Sequence, residues 1–171
     1  MNEHLQEIIN KALVYQSTSE NSKKQIDENR KIWNAGISEL ILNTFLELAN
    51  TAPQLNWEVK KIDSIENLDI LSLGFKNESS GIVGQVSGVL KFFSKIGGRL
   101  IYSQVYNGDI YALIDYPHVE NHVERLNPKF LGKFKPNQIN SDLILDHISV
   151  FLDEMQDWES GTRKLIGFLN S

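Results

Sequence analysis

The chain has 171 residues, 41% hydrophobic and 23% charged, a composition that suits one globular domain with a core of its own. Its formal charge of −5 supplies no overall field that would draw it to nucleic acid or an anionic membrane. It contains no cysteine, which excludes disulfides, thiol nucleophiles and thiolate metal sites.

The opening stretch, MNEHLQEIINKALVYQ, places Leu5, Ile8, Ile9, Ala12 and Leu13 at helical spacing, which predicts a helix over about 3–15. It lacks the basic start and continuous apolar run of a secretory signal. No apolar segment approaches the roughly 20 residues needed to cross a bilayer. A cytoplasmic, soluble protein without membrane contact is the expectation. Gln16-Ser17-Thr18-Ser19 reads as a polar break, and Ser22 with Gln25 reads as a capping-box pair opening a second helix. Ile26, Trp33, Ile37, Leu40, Ile41, Phe45 and Leu48 keep to one side of that helix, which Pro53 ends. Between Ser17 and Lys31 the only apolar residue is Ile26. The polar half is therefore expected to project into solvent or onto another chain, and a homo-oligomer contact through residues 20–50 follows from it. A loop followed by a shorter helix is the plainer alternative.

From 55 to 117 the pattern is that of strands. Trp57 and Val59 alternate with Glu58 and Lys60, and Leu71, Leu73 and Phe75 alternate with Ile70, Ser72 and Gly74. The segment IVGQVSGVLKFFSKIGG matches either a helix or a strand. Gly84 and Gly88 in its interior favour a long strand bulged at those glycines. Asn107-Gly108 signals a two-residue type I′ hairpin. That register sets Tyr106 opposite Asp109 and Val105 opposite Ile110. One face would then hold Ile101, Ser103, Val105, Ile110, Ala112 and Ile114. The other would hold Tyr102, Gln104, Tyr106, Tyr111 and Asp115, together with Leu100, Asp109 and Leu113. Tyrosine joins a large apolar ring to a polar tip, so this second face is the candidate protein-binding surface. Its plainer reading is a half-exposed sheet face on which tyrosine is a good strand former.

The stretch DYPHVENHVE sets His118 and His122 one helical turn apart, with Asp115, Glu120 and Glu124 nearby. They are the candidate metal ligands, and the spacing alone is common by chance. NPKFLGKFKP interleaves Lys129, Lys133 and Lys135 with Phe130 and Phe134. The patch is too short, in too acidic a chain, to predict nucleic acid. Ser141 is positioned to cap a helix running to about Trp158. Ile144, Ile148, Phe151, Leu152 and Met155 form its apolar stripe, and Asp142, Asp146, Asp153 and Asp157 its solvated side. His147, at the stripe's edge, reads as structural.

No phosphate-binding loop, dinucleotide fingerprint or nucleophile elbow is present. The whole predicts an α+β single domain, residues 1–171. A helical region 1–53 is followed by an antiparallel β-meander of about four to five strands over 55–117, a loop region 118–140, and a C-terminal helix and tail over 141–171. The helices pack on one face of the sheet. The α–meander–α order in a small acidic chain resembles secretion chaperones and the immunity proteins of bacterial toxins. The expected function is a non-enzymatic protein-binding module without cofactor, its partner another protein. A metal-dependent hydrolase or metal-binding protein using His118 and His122, or a small-molecule pocket between sheet and helices, are the alternatives.

Overall fold

A computed structural model of the chain describes residues 3–63, 68–121 and 125–161. The helices are α1 (Glu3–Ile32), α2 (Ser38–Thr51) and α3 (Ser141–Ser160). The strands are β1 (Trp57–Asp63), β2 (Asp69–Phe75), β3 (Glu78–Val86), β4 (Val89–Ile96), β5 (Arg99–Gln104), β6 (Ile110–Asp115), β7 (His118–Val119) and β8 (Lys129–Phe134). Five form an antiparallel sheet in the order β1-β2-β5-β6-β8, and β3-β4-β7 form a smaller one. The fold is α+β.

The core lies between the larger sheet and α2 with α3, which share its inner face. Ile41 and Phe45 of α2 and Ile144 and Phe151 of α3 are completely buried against Leu71, Leu73, Leu100 and Ile114. Trp57, Phe75 and Phe151 continue the packing as stacked rings, with centroids 4.9 and 5.6 Å apart. The apolar stripe from Trp33 to Leu48 thus faces inward as its spacing implies.

The expected break at Gln16–Ser19 does not occur: α1 is continuous for 30 residues. Its polar side chains satisfy one another at helical spacing, through Gln16 Nε2 to Glu20 Oε1 at 3.1 Å and the Thr18 hydroxyl to the Val14 carbonyl at 2.9 Å. Ser22 and Gln25 therefore lie within a helix rather than at its start. The rod changes direction instead at a π-helical turn, Trp33–Ile37, where Gly36 leaves helical geometry.

Residues 82–96 are extended, as expected, but as two strands of a ribbon and not one long strand. The turn between them is Ser87-Gly88, with φ of 53° and 79°, the positive pair a type I′ turn requires. The irregularity in pairing lies between Ser79 and Val83, not at Gly84 or Gly88. The stretch 118–140 holds more than loop, since β8 is the fifth strand of the main sheet. At α3 the cap is Asn140, whose side chain accepts from the Leu143 N–H at 3.0 Å, and Ser141 is the first helical residue.

Candidate interaction surface

The hairpin β5–β6 closes differently from the expected type I′ turn. The Val105 N–H bonds the Asp109 carbonyl at 2.9 Å, leaving the three residues Tyr106–Gly108 as the loop, and Gln104 pairs with Ile110. Asn107 shapes that loop with its side chain, accepting from the Asp109 N–H at 3.0 Å. Gly108 takes a φ of +80°. A shift of one residue exchanges faces along one strand relative to the other. The expected tyrosine face therefore does not exist as a unit.

Tyr102 and Gln104 point inward and are buried. The Tyr102 hydroxyl and His147 Nδ1 share a hydrogen bond of 2.6 Å across the core, its direction set by the imidazole tautomer. Burial raises the Tyr102 hydroxyl well above its ordinary pKa. Burial likewise lowers His147, opposed by the nearby charge of Asp146. Gln104 Nε2 has no partner among the described residues. Tyr106 sits in the loop, 77% exposed. Only Tyr111 and Asp115 lie on the outer face.

Three rows of paired residues cross that outer face. The first runs Ile62, Ile70, Ser103, Tyr111, Lys133; the second runs Lys60, Ser72, Ile101, Leu113, Phe130; the third runs Glu58, Gly74, Arg99, Asp115. Ile70, Ile101, Leu113 and Tyr111 are half-buried by their neighbours, while Phe130 is 57% exposed and meets Tyr111 edge-on at 5.4 Å. None of the three helices packs there, since α2 and α3 occupy the opposite face. Apolar side chains thus form the centre of the face, and Glu58, Lys60, Arg99 and Lys133 its rim.

Asp115 braces the third row. Arg125 contacts both its carboxylate oxygens at 2.6 Å and Arg99 contacts Oδ2 at 2.8 Å. Burial alone would raise this carboxyl, but the hydrogen bonds and charges of Arg125 and Arg99 bring it below the ordinary value. Its role is to hold two guanidinium groups at the edge of the surface.

Other sequence candidates disperse. His118 lies half-buried in β7, and His122 falls outside the described residues. Among the described residues, no group of three or more His, Asp or Glu is placed to hold a metal. Lys129 pairs with Glu154 at 2.5 Å and Lys133 with Asp109 at 3.4 Å, so two lysines of the Phe/Lys stretch face carboxylates. A cleft of about 370 Å³ opens elsewhere, between α3 and the base of the ribbon. Leu55, Phe75 and Met155 form its floor, and Lys95, bridging Glu78 and Glu159, one wall. No described helix is long and apolar enough to cross a membrane.

Sequence reasoning set Leu113 beside Tyr111 and Asp115, as observed, but missed Ile101, Phe130 and Arg125 as members of that surface. Alternation puts Ile101 on the same face as Leu113 only once the register is known. Comparison with known proteins returns no match, whether to a family model, a curated protein or a solved structure.

Proposed function

We propose that this chain is a non-enzymatic protein-binding module that docks another protein on the outer face of its five-stranded sheet. One observation carries the reading: Ile70, Ile101, Leu113, Tyr111 and Phe130 form a contiguous apolar centre, uncovered by any of the described helices, inside a charged rim. That distribution is the anatomy of a protein interface, in which charge is depleted at the centre and arginine and aromatic residues are enriched. The rim residues are spaced widely enough to select orientation, while the centre supplies the area removed from water.

Affinity capture from the native lysate with mass spectrometry tests the reading, using wild type, Leu113→Lys and Leu145→Lys as baits. Leu113 lies at the centre of the face, and Leu145 is an exposed residue of α3 on the other side of the sheet. A partner held by wild type and Leu145→Lys but lost by Leu113→Lys is the expected result. Retention by Leu113→Lys, or no specific partner for wild type, overturns the assignment. Tyr102→Ala is unsuitable here, because it would empty the core.

A further inference from the structure

Residues 3–22, the N-terminal two-thirds of α1, are exposed along nearly their whole length. Among the described residues, Lys23, Ile26, Asp27 and Arg30 of α1 line a hollow with Tyr106, and Asn29 follows them into the body. There Arg30 Nη2 donates to the Tyr106 carbonyl at 3.3 Å and Asn29 is buried against Gly108. Upstream, residues 3–22 make a rod of about 30 Å. On one side of it Leu5, Ile8, Ile9 and Leu13 are 49%, 50%, 38% and 59% exposed, with Ala12 among them and Tyr15 at the margin. An isolated helix of this length gains little stability from propensity alone and depends on covering its apolar side.

We infer that this stripe is a homodimer interface, formed by antiparallel pairing of α1 with α1 of a second copy. Three observations select a second copy in that orientation. First, pairing the stripe about its midpoint near residue 10 sets Ile9 against Ala12 of the second copy and Ile8 against its Leu13, so large residues meet small or staggered ones. Second, closing the stripe removes on the order of 500 Å² per chain, about 1,000 Å² for the pair, which reaches the lower bound of a specific interface. Third, among the described residues each body begins near Lys23. An antiparallel pair therefore holds the two bodies at opposite ends, roughly 40 Å apart. Two chains of net charge −5 are thereby kept apart and the helix dipoles oppose. The contact expected over residues 20–50 moves toward the N-terminus, because from Trp33 onward the apolar side of the helical region is used by the chain's own core. This interface leaves the outer sheet face free and does not depend on its function.

Size-exclusion chromatography with light scattering at about 100 µM tests the inference. The variants are Ile9→Glu, on the stripe, and Val14→Glu, an exposed position on the opposite side of the helix. Wild type and Val14→Glu should show twice the 19.5 kDa chain mass. Ile9→Glu should show the single mass, with a near-ultraviolet circular dichroism spectrum unchanged because Trp33, Trp57 and Trp158 lie in the body. A wild type of single mass overturns the inference, as does an Ile9→Glu that remains dimeric. Dissociation by Val14→Glu as well would also overturn it, since the effect would then not belong to one face.

Discussion

The buried pair of Tyr102 and His147 makes a stability statement about pH. His147 titrates in the unfolded chain near its ordinary value of 6.5 and below that in the fold, where burial disfavours the cation. Between the two values the unfolded chain binds the extra proton, so stability is full above 6.5 and falls as pH drops through the lowered value. Chemical denaturation at about pH 7.5 and 5.5 should show a loss on acidification that is absent from His147→Leu, whatever that variant's absolute stability. An equal pH slope in the two proteins would show that the imidazole is not held neutral by the fold. Asp115 is also lowered, but from a carboxylate's range, so its loss comes at much lower pH and does not overlap that window. Reading His147 as structural was possible from its place beside the stripe Ile144–Ile148–Phe151. Its partner was not legible, because Tyr102 faces inward only in the observed register.

At the scale of elements, the contact between the β5–β6 loop and α1 fixes where the long helix joins the body. Gly108 combines a φ of +80° with a position at which an added Cβ would lie 2.8 Å from Asn29 Cβ. Gly108→Ala should cost about 1–2 kcal/mol from the left-handed backbone alone, and more from the displaced helix, measured by urea unfolding. A variant as stable as wild type would mean that the loop and α1 do not touch in solution. Helices α2 and α3 were legible because their apolar residues follow one period for several turns. The hairpin register was not, because Asn-Gly also serves in three-residue loops, where Gly alone needs positive φ. The strand β8 was hidden by Pro128, Gly132 and Pro136 crowding a short segment, which local chemistry reads as loop.

The whole molecule is a two-layer body with a helix and a ribbon extending beyond it. From Ser79 to Leu90 the ribbon carries no charged residue, and Val83, Val86, Val89, Leu90 and Phe92 are 48–68% exposed. Phe93, by contrast, is buried, so the ribbon joins the body at its base. Replacing Gln85–Leu90 by Asn-Gly, which leaves Gly84 and Lys91 against the Phe93 ring, should therefore change folding stability by less than about 1 kcal/mol, read from the urea midpoint and slope. A larger loss would place the ribbon within the cooperative core. The three-residue loop at Tyr106–Gly108 has a different reach. Strand side chains alternate, so loop length acts as a parity rule: an odd loop turns Leu100 and Tyr102 inward together with Ala112 and Ile114. Deleting one loop residue would force either a bulge or an inversion of one strand, exchanging Leu100, Tyr102 and Gln104 for Ile101, Ser103 and Val105. The distinction between inside and outside in this protein thus rests partly on whether a surface loop contains an odd or an even number of residues.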